Sequence, residues 1–277
     1  MDRIEQVRKE LDAARSEGGT VGLVPTMGAL HEGHASLVHR SAAECSVTVV
    51  TVFVNPLQFG PKEDFDRYPR DLGGDLAVAE EAGADLVFAP PVGEIFAEEP
   101  VVRVEVGGGL GELLEGAARP GHFSGVATVV AKLFAIAGPC RAYFGEKDYQ
   151  QLLVVRRLAA DLSFPVEVVG CPTVRAPDGL ALSSRNAYLS GPERTAATVL
   201  PRALATAARS RERDGERLRR LMAAAIAAEP LVRLDYAEVA DAATLSPLDR
   251  VEGPARLLVA ARVGTTRLID NLAVGGA

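Results

Sequence analysis

Two histidines three residues apart, His31 and His34, close the stretch Val21-Gly-Leu-Val-Pro-Thr-Met-Gly-Ala-Leu-His-Glu-Gly-His34. At a helix start, residues at that spacing share a face, so both imidazoles can reach one anion. Lys147 stands in Phe144-Gly-Glu-Lys-Asp-Tyr-Gln-Gln151, where a short strand ending at Gly145 gives way to a helix. A lysine there opposes the helix dipole, and a bound polyphosphate removes that conflict. Gln151 falls on the same helical face as Lys147 and Asp148. Ser183, Ser184 and Arg185 add two hydroxyls and a guanidinium, a set suited to gripping phosphate. Asn55 and Gln58, in Asn55-Pro-Leu-Gln-Phe-Gly60, offer neutral donors and acceptors to a polar or carboxylate-bearing ligand. Together these side chains suit transfer at phosphorus, which needs positioning and charge neutralisation more than a covalent group on the protein.

Each feature has a plainer reading. The glycine turn before His31 points free backbone N–H groups and a helix dipole at one spot, yet two histidines there also suit simple capping. A zinc protease pattern needs His-Glu-x-x-His, and His31-Glu-Gly-His34 is one residue too short. The dinucleotide fingerprint G-x-G-x-x-G is absent from this turn. Asn55 and Gln58 fit a turn whose amides cap a helix, Lys147 fits a solvated loop, and Ser183 to Asn186 fit a plain turn. Gly107-Gly-Gly-Leu-Gly111 lacks the spacing of a phosphate loop and reads as a flexible connection. His122 and Ser124, in Arg119-Pro-Gly-His-Phe-Ser-Gly-Val126, read as caps of an apolar helix over about 126–136.

The elements that must position these residues follow from periodicity. Val21–Val24 reads as a short buried strand, followed by a helix through Leu30, Leu37 and Val38. Val47–Val54 is a β-branched run of the kind a buried parallel strand shows. A helix over 72–82, a strand over 85–89, an alternating strand over 101–106 and a strand over 166–169 continue the pattern. Alternating strands and helices predict an α/β fold with a Rossmann-like parallel sheet, whose ligands sit at the carboxyl ends of the strands. Pro172, Pro177 and Gly179 punctuate a junction, giving domains 1–173 and 174–277. The second reads as a smaller α+β, lid-like domain with strands over 234–239, 256–261 and 266–272.

Of 277 residues, 48% are hydrophobic and 24% charged, as in an ordinary globular protein. The net charge of -7 disfavours non-specific binding to nucleic acid or anionic membrane. Cys45, Cys140 and Cys171 are widely spaced, which fits buried thiols in a reducing cytosol and not a disulfide framework or a zinc knuckle. The N-terminus is charged and helix-periodic, unlike a signal peptide, and no apolar run reaches the ~18 residues of a membrane span. The chain reads as cytoplasmic.

The His-x-Gly-His pattern behind Thr26-Met-Gly resembles the nucleotide-binding motif of the nucleotidylyltransferase superfamily. Five stretches in order resemble the pantothenate synthetase (pantoate–β-alanine ligase) family: 25–34, 53–59, 121–126, 144–151 and 183–189, with a similar tail over 257–271. The resemblance implies ATP-dependent condensation of (R)-pantoate with β-alanine through a pantoyl-adenylate, giving pantothenate, AMP and diphosphate. It also implies Mg2+ and a homodimer. Met27, Gly28, Ala29, Leu30, His31, Glu32, Gly33 and His34 would bind ATP, with His34 as proton donor. Gly145, Glu146, Lys147, Asp148, Leu182, Ser183, Ser184 and Arg185 would hold its phosphates and ribose, and Val174 its adenine. Gln58 and Gln151, with Asn55, would hold pantoate, and Gln58 would also reach β-alanine. The metal ligands stay unassigned. Leu182 stands where the family usually has Met, a swap of similar volume. Two rivals stay open: an adenylyl transferase with a phosphate acceptor, and a non-catalytic ATP-binding protein.

Overall fold

The computed structural model describes residues 1–61 and 63–275. The chain divides into two compact units, the first Met1–Glu146 with Gln151–Pro172, the second Lys147–Gln150 with Thr173–Ala277.

The first unit is built on a five-stranded sheet: β1 (Val21–Thr26), β2 (Val47–Val52), β3 (Leu86–Phe88), β4 (Cys140–Gly145) and β5 (Val166–Cys171). The order is β3-β2-β1-β4-β5 with every pair parallel, a Rossmann-like arrangement. The direction of winding reverses between β1 and β4, and ligands of such sheets bind outside the strand ends at that point. Helices α1 (Ile4–Ser16), α2 (Glu32–Glu44) and α3 (Leu72–Glu81) alternate with the strands. Three short helices follow, α4 (Val92–Ile95), α5 (Gly108–Glu112) and α6 (Glu115–Ala118), then the long α7 (His122–Ala137) and α8 (Tyr149–Asp161).

Side chains from α2, α3 and the sheet interlock in one core, including Val24, Leu37, Val50, Ala79, Tyr143 and Val169. The approach of α2 to β1 is close. A Cβ on Gly22 would lie 1.9 Å from Ser41 Oγ, which is itself paired with Thr48 Oγ1 at 2.8 Å. Helix α2 starts at Glu32, so Leu30 belongs to the turn before it.

Two expectations fail here. Residues 101–106 are not a strand, and Val101 is 99% exposed. Their alternation has no sheet to pair with; Val104 N–H donates to Thr128 Oγ1 at 3.0 Å and Val106 N–H to Ser124 Oγ at 3.1 Å, both hydroxyls on α7. The glycine-rich stretch after them is not a loose connection but α5. There Gly111 fits because a Cβ would lie 2.0 Å from the Val106 carbonyl oxygen.

The second unit carries an antiparallel sheet of β6 (Val232–Asp241), β7 (Ala255–Val263) and β8 (Thr266–Val274), ordered β6-β7-β8. Helices α9 (Gly191–Ala196), α10 (Val199–Arg209) and α11 (Gly215–Ala227) precede it. Leu200, Leu204, Met222 and Ile226 pack with Leu257 and Val259 in a separate core, so this unit buries apolar surface of its own. Among the described residues, no helix is long and apolar enough to cross a membrane.

Candidate active site

The first unit gathers its chemistry at the carboxyl end of β1. Beyond Thr26 the chain turns through Gly28 and Ala29, both left-handed at φ 82° and 52°. Glycine adopts this freely, whereas alanine needs support. Asp75 on α3 supplies it: Oδ1 accepts the Leu30 N–H at 2.7 Å and Oδ2 the Ala29 N–H at 3.2 Å. Asp75 is buried, and these amides answer the need of a buried carboxylate for donors. A Cβ on Gly28 would lie 2.7 Å from Asp75 Oδ2, so glycine is required for space as well as conformation.

His31 is the N-cap of α2, and its Nδ1 accepts the Gly33 N–H at 3.1 Å. In return, the His31 N–H donates to His34 Nδ1 at 3.3 Å, forming a reciprocal capping box. A backbone N–H can only donate, so each Nδ1 is the bare nitrogen and each neutral ring carries its proton on Nε2. The ring centroids lie 4.2 Å apart. Capping and anion recognition are therefore compatible, since the cap consumes Nδ1 and sets Nε2–H as each ring's donor.

The expectation of free backbone N–H groups at this turn is corrected for five residues, and among the described residues 28–33 only the Glu32 N–H, at the first position of α2, is left without an acceptor. Gly28 N–H donates to Thr26 Oγ1 at 3.2 Å, and those of Ala29, Leu30, His31 and Gly33 have the acceptors just named. The turn is held mostly by its own amides, so an anion here would meet the imidazoles, the helix dipole and the one Glu32 amide.

Asn55 and Gln58 follow β2. Asn55 caps the 3-10 turn Pro56–Gln58 by accepting the Leu57 N–H at 3.2 Å. Its Nδ2 also donates to Gln58 Oε1 and to the Gly125 carbonyl, each at 3.1 Å. Gln58 Nε2 lies 2.9 Å from Met27 Sδ, a weak acceptor. The turn rests against Gly125 of α7, where a Cβ would lie 2.2 Å from the Leu57 carbonyl oxygen.

A charged network closes the same loop from outside. His122 Nδ1 is 2.8 Å from the Gln58 carbonyl oxygen, and Nε2 is 2.9 Å from Arg119 Nη1. A carbonyl accepts and a guanidinium donates, so the ring is the neutral Nδ1–H tautomer. Burial, reinforced by the Arg119 charge, lowers the His122 pKa to about 4. Arg119 grips Glu63 at 2.6 and 2.8 Å. Burial alone would raise the Glu63 pKa, but the bonds and charge of Arg119 hold it below the ordinary carboxylate value. Neither His122 nor Ser124 caps α7, whose N-cap is the left-handed Gly121. Sequence reasoning missed Asp75, Gly125 and this network. The available signal was Ser124, Gly125 and Thr128, small or polar residues on one side of an otherwise apolar helix.

Gly145, Glu146 and Gln151 also belong to the first unit, at the end of β4 and on α8. Lys147 and Asp148, in the 3-10 turn Glu146–Asp148, belong to the second, with Nζ 3.7 Å from Asp148 Oδ1. The second unit also joins Val174 to Leu182, whose N–H donates to the Val174 carbonyl at 3.0 Å across a hairpin turned at Gly179. Ser183 Oγ accepts the Arg185 N–H at 3.3 Å and caps the 3-10 turn Ser184–Tyr188. Among the described residues, no cluster of three or more His, Cys, Asp or Glu side chains is arranged to hold a metal ion.

Known proteins share this architecture and sequence. The chain is 59% identical to a pantothenate synthetase of Rubrobacter xylanophilus, over 97% of this chain and 96% of that one. The crystal structure of pantothenate synthetase from Thermus thermophilus superposes with a TM-score of 0.93 at 52% identity, covering 98% of both chains. A pantoate-beta-alanine ligase from Francisella tularensis, complexed with beta-gamma ATP and beta-alanine, superposes with a TM-score of 0.82 at 34% identity, covering 98% of this chain and 96% of that one. The family model described as pantoate-beta-alanine ligase matches residues 1–273. With that match and these relatives, the chain belongs to the pantoate–beta-alanine ligase family.

Proposed function

We infer that the chain joins pantoate to β-alanine at the expense of ATP, and that the residues above carry the two steps. In the first, a pantoate carboxylate oxygen bonds to the α-phosphorus, the bond to the bridging oxygen breaks, and diphosphate leaves. In the second, the uncharged amine of β-alanine attacks the acyl carbon, the carbon–oxygen bond to phosphate breaks, and AMP departs. The amine proton passes to solvent or to the departing phosphate. The observation that carries this reading is the reciprocal histidine cap, which fixes two Nε2–H donors side by side at the end of β1. Such fixed donors stabilise charge on phosphate oxygens as it shifts to the leaving group.

Met27 to His34 serve ATP in this reading, with His34 as the donor to the phosphates and His31 beside it. Lys147, Ser183, Ser184 and Arg185 supply charge and hydroxyls to the phosphates, and Gly145, Glu146, Asp148 and Leu182 line the nucleotide. Val174 serves the adenine. Gln58 and Gln151 receive pantoate, and Gln58 also meets β-alanine, because neutral amides recognise carboxylate and hydroxyl groups without competing as nucleophiles. Asn55 acts on pantoate through Gln58, since both its amide donors are spent on Gln58 and Gly125. Mg2+ belongs to this reading as the companion of the ATP phosphates, where it would neutralise charge on the transferring oxygens. Two copies per molecule and a cytoplasmic location complete it, and sedimentation analysis measures the first.

The test is pantoate-dependent exchange of labelled diphosphate into ATP without β-alanine, followed by β-alanine addition. Exchange that needs pantoate and Mg2+, then stoichiometric AMP and pantothenate, is the expected result. Exchange with a different acid would discard the substrate and keep the chemistry. ATP binding with no exchange for any acid would leave a binding protein.

A further inference from the structure

Of the three buried polar residues on β8, Thr266, Asp270 and Asn271, the last two carry charge or an amide to which the proposed function gives no task. Neither is idle. Asn271 Nδ2 donates to the backbone carbonyl of Lys147 at 2.9 Å. Its Oδ1 accepts from Arg256 Nη1 at 3.0 Å, which fixes the orientation of the amide. The Arg256 guanidinium lies 3.8 Å from the centroid of the Tyr149 ring, and the Tyr149 hydroxyl donates to the Ala242 carbonyl at 2.8 Å. Residues 147 and 149 are therefore both tied to the three-stranded sheet, which explains why Lys147–Gln150 belongs to the second unit.

The Lys147 side chain needs such a fixed base. Its ion pair with Asp148 is a loose 3.7 Å approach, and a flexible four-carbon stem on a wandering backbone would deliver its charge poorly. Asp270 performs the parallel task one residue earlier in the chain. It holds Arg175 through two bonds of 2.7 and 2.9 Å and accepts the Asn271 N–H at 2.8 Å. Arg175 adjoins Val174 and pairs with Ala181 in the hairpin that ends at Leu182. Adjacent residues of β8 thus anchor Lys147 and the base of the hairpin to one strand.

We propose that Asn271 is a positioning residue for Lys147, setting the lysine for phosphate chemistry through the bond from its amide to the Lys147 carbonyl. This rests on the assignment of Lys147 to the ATP phosphates. The experiment measures pantoate-dependent ATP–diphosphate exchange for Asn271→Ala and Asn271→Asp, each in the parent and in a Lys147→Ala background. Asn271→Asp preserves shape and the Arg256 partner but replaces the donor facing the Lys147 carbonyl with an oxygen.

The expected result is a fall in kcat of about tenfold or more in the parent, with the KM for pantoate within about twofold. In the Lys147→Ala background the same substitutions should change kcat by less than about twofold, because the group they position is gone. Equal losses in both backgrounds, no loss in the parent, or loss of the fold in both variants would each mark Asn271 as structural only and overturn the proposal. A near-normal rate for Lys147→Ala alone would overturn the assignment of Lys147 itself, a failure visible before any Asn271 variant is made.

Discussion

Gly125→Ala adds one methyl group to a buried helix and should cost far more activity than stability. The new Cβ would stand 2.2 Å from the Leu57 carbonyl oxygen, 2.5 Å from its carbon and 2.8 Å from the Gln58 Cα. Non-bonded contacts settle at about 3.5 Å, so the turn must retreat by roughly 1.3 Å or the helix must. Helix α7 is buried along most of its length and is the less yielding partner. Retreat stretches the bond from Asn55 to the Gly125 carbonyl and carries Gln58 with it. Overpacking costs about 1–3 kcal/mol, against a return of about 1 kcal/mol from the better helix propensity of alanine. A displacement near 1 Å at a substrate-holding group costs on the order of 10²-fold in rate, or about 3 kcal/mol in the barrier. The assay is kcat/KM for pantoate in the exchange reaction beside a thermal melt, with the KM for ATP as internal control. A cooperatively folded Gly125→Ala protein whose kcat/KM for pantoate stays within about threefold of the parent would refute the reasoning.

Asp75→Asn should weaken ATP more than pantoate, because one face of the new amide would present N–H groups to the Ala29 or Leu30 N–H. Leaving a buried amide unmatched costs about 1–3 kcal/mol, readable as a lower melting temperature and a raised KM for ATP. Lys147→Ala should lower the exchange rate by about 10²–10³-fold, the loss typical of one fixed donor to developing charge. Stability should fall as pH drops from 6.5 toward 4. Over that window His122 stays neutral in the fold, facing Arg119, Glu63 and Glu115, while the unfolded chain takes up a proton. The unfolded state binds more protons there, so unfolding is favoured as pH falls, by about 3 kcal/mol in full, and the term is flat above the unfolded value. Urea midpoints at pH 7.5 and 4.5 should separate by less in His122→Gln than in the parent; equal separation would remove His122 as the cause.

What the sequence made legible was local. Val47–Val52 is β-branched throughout and pairs only as a buried parallel strand can, and the His31–His34 spacing set two rings on one helical turn whatever lay around it. Residues 101–106 show the limit, since Val-Val-Arg-Val-Glu-Val alternates like a strand, yet alternation only describes faces and cannot supply a neighbour. The partners of that segment are hydroxyls of Ser124 and Thr128, which sit in a helix many residues away. Asp75 was hidden for the same reason. In Leu-Gly-Gly-Asp-Leu it reads as one more acid in the first turn of a helix, and only the packing of α3 against the turn at Ala29 and Leu30 gives its charge a purpose.

The pairing of amides at the glycine turn changes what the site requires. Had the amides of residues 28–31 and 33 all been unused, a phosphate could have been held by backbone alone, and the two histidines would have been replaceable caps. With those amides taken by Thr26, Asp75 and the imidazoles themselves, the cap and the donor proposed for phosphate are the same side chain. Asparagine at position 31 or 34 could restore a cap to the helix, but it would not extend a ring N–H from the far side of the group that does the capping. A histidine fulfils both tasks because its two nitrogens lie on opposite sides of one rigid ring, and that is a physical reason for the residue type at both positions.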